Sequence, residues 1–106
     1  MTDGSTETQL LNLNVYGAAV YFPMAGRAMF TLQASLLLGS WGSAVVTVTR
    51  SNDKATWTAL ETATTFSADG STTQRESCFE WMRCQVTTAA GGAGVANFST
   101  HTMRDA

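Results

Sequence analysis

Residues 41–57 read WGSAVVTVTRSNDKATW and combine the features of a strand and a turn. Residues 45–49 are all valine or threonine, and such β-branched side chains are enriched in strands because they pack well on a pleated surface. Residues 51–54 follow, where Asn and Asp side chains favour a turn by hydrogen-bonding to their own backbone. Trp57 then begins another short segment of strand character. This stretch predicts antiparallel strands joined by a tight turn.

The alternation of apolar and polar residues continues on both sides of this stretch. Apolar side chains occupy every second position at Leu11, Leu13 and Val15, at Phe30, Leu32 and Ala34, and at Met82, Cys84 and Val86. A period of two indicates a strand with one buried face, and turn residues recur about every 8–12 residues. Both features predict an all-β fold, a single-domain antiparallel β-sandwich of jelly-roll or Ig-like type with about seven or eight strands. Residues 35–38, which contain three leucines, are the one helix candidate, and they suit a loop equally well.

The N-terminal residues 1–9 differ from the rest of the chain. They are polar, include Asp3 and Glu7, and offer no apolar face for packing on a core. We therefore predict a polar N-terminal arm over residues 1–9, held by a partner, and a β-sandwich domain over residues 10–106. This polar start is the reverse of a signal peptide, and no run approaches the roughly 18 apolar residues of a membrane span. Folding in the cytoplasm, with no membrane partner, is the expectation.

The chain of 106 residues carries little charge. Asp, Glu, Lys and Arg make up 13% of it, against an average of about 25%, and Lys54 is the only lysine. Soluble monomers use charge to stay apart, whereas the buried parts of protein interfaces are depleted in Lys, Glu and Asp. We therefore predict a homo-oligomer, either a dimer or a trimer; a monomer kept soluble by surface hydroxyl groups is the alternative. A net charge of −2 and scattered arginines argue against nucleic acid as a partner.

Side chains that carry catalysis or bind metals are sparse. His101 is the only histidine, and the sequence has neither a metal-binding Cys/His spacing nor a Gly-x-Ser-x-Gly elbow. We therefore predict a protein that is not an enzyme and that binds no metal or cofactor. Cys78 and Cys84 lie in one predicted strand, about 20 Å apart by the usual rise per residue, which is too far for a disulfide. They are expected to be free thiols in the core.

We predict different environments for the three tryptophans, two in the core and one on the surface. Residues 51–57 resemble a shortened Asp-box, the Ser-x-Asp-x-Gly-x-Thr-Trp hairpin of sialidase propellers, which is a structural turn above a buried Trp. By this resemblance Asp53 is expected to hold the turn and Trp57 to lie in the core; an exposed Trp57 that stacks on sugar is the alternative. Trp81 is also predicted to fill the core, as large aromatic residues usually do. Trp41, which is flanked by glycines, is predicted to be an anchor displayed to a partner.

Residues 41–60 and 79–100 resemble a recurring pattern in small structural proteins of tailed phages. The pattern consists of a glycine-flanked aromatic residue, a valine/threonine strand, Arg-Ser-x-Asp, a short turn and Trp-x-x-Leu. The pattern continues with an aromatic-x-Arg strand and a Thr/Gly-rich turn. In this chain Trp81 and Arg83 are the aromatic residue and the arginine of that strand, and Lys54 stands where the first turn usually has a glycine. The resemblance implies a β-sandwich protein of the virion with no catalytic residues to carry over.

Two roles follow from this resemblance. The first is a capsid decoration or cement protein that binds the outside of an assembled phage head, with the major capsid protein or other virion proteins as partners. The second is a tail or fibre adaptor, or a carbohydrate-binding module, that contacts the host surface. In both roles the chain would be assembled into the virion in the host cytoplasm. The candidate partner-binding residues come from the arm and the leucine segment: Thr2, Asp3, Thr6, Gln9, Leu36, Leu37, Leu38 and Trp41.

Overall fold

A computed structural model describes residues 5–24, 29–60, 64–75 and 80–103. Within these ranges the chain forms nine strands. They are β1 (Ser5–Asn12), β2 (Ala19–Pro23), β3 (Met29–Gly39), β4 (Val45–Ser51), β5 (Thr58–Ala59), β6 (Thr65–Phe66), β7 (Gly70–Arg75), β8 (Trp81–Thr88) and β9 (Gly94–Met103). The described part of the chain contains no helix of the length and hydropathy needed to cross a membrane.

The strands form two antiparallel sheets that enclose one core. One sheet has the order β1-β9-β3-β7, and the other has the order β2-β8-β4-β5, with β6 also pairing with β4. The chain changes sheet at each connection except those between β4, β5 and β6. Because β5 and β6 pair with successive parts of β4, they act as one interrupted edge strand, and the order becomes that of an eight-stranded jelly roll. The predicted β-sandwich is confirmed, and the interrupted edge accounts for the ninth strand.

The core lies between the sheets and follows the predicted alternation. Met82, Cys84 and Val86 of β8 are fully buried, and Phe98 of β9 packs edge-on against Phe66 with 5.8 Å between ring centroids. Burying a large apolar side chain contributes about 1.5–3 kcal/mol. Other buried residues of the core are Leu11, Leu13, Val20, Phe22, Phe30, Leu32, Ala34, Val46 and Val48. The same alternation places every second side chain of a strand on an outer face, where the candidate sites lie.

Trp41 is part of this core, which corrects the prediction that it is displayed to a partner. It is 9% exposed and packs edge-on against Phe98, with 6.3 Å between ring centroids. Its indole Nε1 donates to Asp69 Oδ1 at 2.7 Å, and the Leu36 amide donates to the same oxygen at 2.8 Å. These bonds, the Trp41 bond first, hold the pKa of Asp69 below its usual value. A buried indole needs a partner for its N–H, and Asp69 supplies it.

Residues 35–38 belong to strand β3, so neither the helix nor the loop interpretation is correct. The register between β3 and β9 shifts between Leu36 and Leu38, which marks a β-bulge at this point. Leu36 packs against the core, whereas Leu37 and Leu38 are 50% and 65% exposed. Within the predicted partner-binding segment, only these last two leucines remain open on the surface.

Strand β1 changes the predicted boundary of the N-terminal arm. It begins at Ser5 and pairs with β9 over its whole length. Residues 5–9 are therefore an edge strand of the sandwich rather than part of a separate arm, because their backbone groups pair with a neighbouring strand even though their side chains are polar. Three predicted partner-binding groups lie outside the described residues, namely Thr2, Asp3 and the side chain of Thr6.

Of the two cysteines, the structure describes Cys84. Cys84 is a free thiol in the core, and burial raises its pKa well above the usual value. A buried thiol of this kind behaves as a small apolar side chain. Cys78 lies outside the described residues.

Candidate functional site

Five side chains form a continuous patch on the outer face of the five-stranded sheet, and we call it the aromatic–cation platform. They are Tyr21, Lys54, Trp57, Trp81 and Arg83. The ring centroids of Tyr21 and Trp57 lie 5.6 Å apart, and the rings are tilted by 50°. Lys54 Nζ lies 4.3 Å from the centroid of the Trp81 ring and 5.1 Å from that of the Tyr21 ring. Arg83 Cζ lies 4.5 Å from the centroid of the Trp57 ring, so cation–π and aromatic contacts join all five groups.

The pairing of β8 with its two neighbours sets the middle of the platform. Arg83 lies opposite Tyr21 of β2 on one side and opposite Thr49 of β4 on the other. Trp81 lies two residues earlier on the same face, because side chains alternate along a strand and Met82 points into the core. Trp81 is therefore half-buried on the outer face, and the prediction that it fills the core is wrong.

A tight turn over residues 51–57 brings the other two groups onto the platform. Asp53 Oδ1 accepts hydrogen bonds from the Ser51 hydroxyl at 2.9 Å and from the Ala55 and Thr56 amides at 2.9 and 2.8 Å. The backbone bond from Thr56 contributes most, followed by that from Ala55, and together they lower the pKa of Asp53 to about 2. They do so because these donors favour the charged carboxylate. Asp53 holds the turn, in the way that the Asp-box resemblance implies.

Lys54 adopts the left-handed backbone conformation within this turn, with φ at 61°. That conformation costs a residue with a Cβ about 1–2 kcal/mol, and glycine avoids the cost. The Lys54 amide donates to the Ser51 hydroxyl at 2.9 Å, which fixes the backbone in place. As a result, the only lysine of the chain lies over the rings of Tyr21 and Trp81.

Trp57 follows the turn and lies on the outer face, so its predicted place in the core is wrong. It is half-buried, against the ring of Tyr21 and the guanidinium of Arg83. Arg83 is itself oriented by a hydrogen bond from its Nε to Thr49 Oγ1 at 3.2 Å. Leu60, three residues later, is the buried apolar side chain of this segment, at 3% exposed.

The platform offers two kinds of interaction to a ligand. Aromatic rings provide flat apolar surface for stacking, and the ammonium and guanidinium groups donate charge-assisted hydrogen bonds. His101 lies elsewhere, on β9 of the four-stranded sheet. Among the residues that the structure describes, no group of three His, Cys, Asp or Glu side chains is arranged to hold a metal ion. The chemistry of the platform is therefore stacking combined with recognition by two cations.

The outer face of the four-stranded sheet has a different character. None of its outward side chains that the structure describes is Asp, Glu, Lys or Arg. Hydroxyl groups bond across neighbouring strands, Thr8 with Ser99 at 3.0 Å and Thr31 with Thr73 at 2.9 Å. We call this surface the hydroxyl–amide face; it consists of Thr8, Leu10, Asn12, Thr31, Gln33, Ser35, Leu38, Ser71, Thr73, Val95, Asn97, Ser99 and His101.

The structure does not bring the predicted partner-binding residues together. Gln9 of β1 donates from Nε2 to the backbone carbonyl of Tyr21, at the edge where the two sheets meet. Leu37 and Leu38 lie on β3, in the four-stranded sheet, and Trp41 lies in the core. The contact of Gln9 with Tyr21 links the N-terminal strand to the sheet that carries the platform.

Three platform residues were absent from the predicted sites, namely Tyr21, Lys54 and Arg83. One signal in the sequence points to part of the platform: Trp81 and Arg83 alternate with buried Met82, so both must face outward. No comparable signal exists for Lys54, because its contacts depend on a turn that folds back over two strands.

No protein-family model matches the sequence, and no curated protein matches it. Solved structures match the fold over most of the chain. The CBM32 of AlyQ, in complex with 4,5-unsaturated mannuronic acid, is 12% identical with a TM-score of 0.59, and the match covers 91% of this chain and 78% of that one. Chitosan-binding module 1 from a chitosanase/glucanase of Paenibacillus sp. IK-5 is 14% identical with a TM-score of 0.58, over 93% of each chain. The PBSX exported protein XepA is 13% identical with a TM-score of 0.60, and the match covers 93% of this chain and 38% of that one. At identities this low, the three similarities show a shared fold.

Proposed function

We propose that the chain is a non-enzymatic carbohydrate-binding module of a phage particle and that the aromatic–cation platform is its binding face. The observation that carries this proposal is the platform itself. Two half-buried tryptophans and a tyrosine lie side by side on the surface with two cations among them. Trp, Tyr and Arg are the residues that dominate binding hot spots, and large aromatic residues are otherwise mostly buried.

The shared fold agrees with this proposal. Two structural neighbours are a CBM32 module in complex with a mannuronic acid and a chitosan-binding module. A third is the PBSX exported protein XepA. The association with a phage is supported by the resemblance of residues 41–60 and 79–100 to structural proteins of tailed phages. Placement in the virion and contact with the host surface complete the proposal.

The test is calorimetric titration of the full chain with three oligosaccharides of equal length: a neutral chitin, a cationic chitosan and an acidic mannuronate. We expect at least one class to bind. Trp57→Ala and Trp81→Ala should each weaken that binding by about tenfold or more, as expected for hot-spot residues. Tyr16→Ala is the matched control, because Tyr16 is 75% exposed in the turn before β2 and lies outside the platform.

Two results would contradict the proposal. One is the absence of measurable binding to all three classes at millimolar concentration. The other is unchanged affinity in the Trp57 and Trp81 variants, with thermal melting showing that both remain folded.

A capsid decoration or cement role is the second candidate. It is supported by the hydroxyl–amide face and by three exposed leucines, Leu10, Leu37 and Leu38, at 59%, 50% and 65% exposure. An extended surface without charge and with exposed apolar groups is typical of regions that a partner buries. The test is to add the protein to phage heads that lack it and to measure co-sedimentation and heat-induced release of DNA. Heads that bind the protein and gain heat resistance would favour this role, whereas loss of adsorption to cells without any change in head stability would favour carbohydrate binding.

A further inference from the structure

We infer that the platform selects acidic saccharides and that Lys54 is the residue that recognises the carboxylate of a uronic-acid unit. This inference rests on the proposed function, which by itself requires only that the platform bind some class of saccharide. The inference adds that the ligand is negatively charged and that Lys54 is responsible for this preference.

The backbone of Lys54 is the first argument. Its left-handed φ of 61° is a conformation that glycine adopts without strain. The hydrogen bonds of the turn run between the Ser51 hydroxyl, the Asp53 carboxylate and backbone amides, so the lysine side chain adds none of them. Strain at a non-glycine residue often accompanies a functional role of its side chain. Here the side chain places an ammonium group 4.3 Å from the centre of the Trp81 ring.

The charges around the platform are the second argument. Lys54 and Arg83 bring two positive charges to one surface of a chain whose net charge is −2. The nearest carboxylate along the chain, that of Asp53, accepts three hydrogen bonds within the turn. Asp53 in the turn and the exposed Glu80 directly before Trp81 carry negative charges beside the platform, but the two charged groups among the five platform side chains are both cations.

The hydrogen-bonding capacity of the two cations is the third argument. The ammonium of Lys54 contacts the rings of Tyr21 and Trp81, and Arg83 uses its Nε on the Thr49 hydroxyl. An ammonium has three N–H donors and a guanidinium has five, so both groups keep donors for a ligand. A sugar ring stacked at Trp81 would bring a carboxylate substituent within reach of Lys54, whose Nζ lies 4.3 Å from the centroid of that ring. Cation–π contacts at exposed sites are weak enough for the ammonium to turn from a ring to a carboxylate while the turn stays folded.

The experiment compares mannuronate oligosaccharide with neutral chitin oligosaccharide of equal length in calorimetric titrations. The wild-type chain should bind the acidic probe about tenfold or more tightly than the neutral one, and the preference should shrink as salt is added. Lys54→Gly and Lys54→Gln should abolish the preference, while Lys54→Arg should keep it. The melting temperatures of Lys54→Gln and Lys54→Arg should stay close to the wild-type value, and Lys54→Gly should melt no earlier than the wild type, because glycine adopts this backbone conformation without strain. Tyr16→Ala, which lies outside the platform, should keep both the acidic preference and the binding of the neutral probe.

The other outcomes contradict the inference, and they distinguish its failure from failure of the proposed function. Equal affinity of the wild-type chain for both probes, or a Lys54→Gly variant that keeps the acidic preference, would overturn it and leave the proposed function standing. A Lys54→Gly variant that melts earlier and loses both probes together would show that Lys54 is structural. No binding of either probe, nor of chitosan, would overturn both proposals.

Discussion

The turn over residues 51–57 contains two neighbouring residues with opposite effects on its stability. Asp53 stabilises the turn, since its carboxylate accepts hydrogen bonds from the Ser51 hydroxyl and from two backbone amides. Lys54 strains it, because its φ of 61° belongs to glycine. A turn that is held so firmly by one residue tolerates a strained neighbour, and the strained backbone places the Lys54 side chain on the platform.

Replacing Asp53 by Ala should lower the urea midpoint at neutral pH and alter the pH dependence of stability. The pKa of Asp53 is lowered from 3.8 to about 2 in the folded chain, so its carboxylate stabilises the fold fully above pH 3.8. This contribution is lost as the pH falls from about 4 to about 2. Urea unfolding between pH 2 and pH 7 should show a smaller acid loss in the variant than in the wild type. Parallel curves for the two proteins would show that Asp53 does not hold the turn.

Thr100 of β9 is a buried residue whose hydroxyl has no hydrogen-bond partner in the described part of the chain. An unpaired buried hydroxyl costs about 1–3 kcal/mol. Thr100→Val keeps the shape and the β-branched side chain, and it should raise the free energy of unfolding by about 1 kcal/mol, or the melting temperature by about 4–8 °C. Thr102, also buried but engaged in an interaction, is the matched control, and Thr102→Val should bring no such gain. An equal effect of both substitutions would contradict the assignment of an unpaired group to Thr100.

Strand β8 shows how far the sequence predicts an element and where prediction stops. The period of two assigns Met82, Cys84 and Val86 to the core, as the structure has them. The same period requires Trp81 to face outward, but the general preference of tryptophan for burial pointed the other way. At Trp81, the periodicity of the strand was the better guide.

Whether a side chain is buried was harder to predict in turns and loops, where apolar residues do not recur at a regular period. Trp41 is buried, and its indole N–H donates to Asp69, 28 residues later in the chain; Trp57 lies on the outer face against Tyr21 and Arg83. Both outcomes depend on contacts between segments that are distant or irregular. The sheet faces could therefore be predicted from alternation, whereas the platform, which is assembled from a turn and three strands, could not.

The paired ends of β3 and β9 depend on two glycines. Gly39 lies opposite Gly94, and a Cβ at either position would overlap a backbone oxygen, that of Ala93 or of Ser40. Gly39→Ala and Gly94→Ala should each lower the free energy of unfolding by about 1–3 kcal/mol. Gly39→Ala should have the larger effect, since Gly39 also has φ at +77°.

Gly92→Ala is the matched control for this element, since nothing lies within 4 Å of an added Cβ there. Its effect should stay within about 0.5 kcal/mol. Chemical unfolding of the three variants measures the difference. Equal stabilities would show that the β3–β9 end has room that the structure does not indicate.

The whole molecule presents two outer faces of contrasting chemistry. One carries aromatic rings and both Lys54 and Arg83, and the other carries mainly hydroxyl, amide and apolar groups, with no Asp, Glu, Lys or Arg among its described side chains. Charged residues keep soluble proteins apart, so the hydroxyl–amide face is the one on which two copies would meet with least desolvation cost.

We therefore expect the isolated protein to be a dimer or trimer that buries the hydroxyl–amide face, as sedimentation velocity at micromolar concentration would reveal. Gln33→Glu places a charge on this face, opposite Ser99 of β9, and should shift the protein towards monomer because a buried unpaired carboxylate is costly at an interface. Gln85→Glu makes the same chemical change on the outer face of β8 and should leave the oligomer intact. A wild-type chain that sediments as a monomer would contradict the prediction, and dissociation by both substitutions alike would place the interface elsewhere. Retention of saccharide binding by the Gln33→Glu monomer would further show that one face assembles the protein while the opposite face binds its ligand.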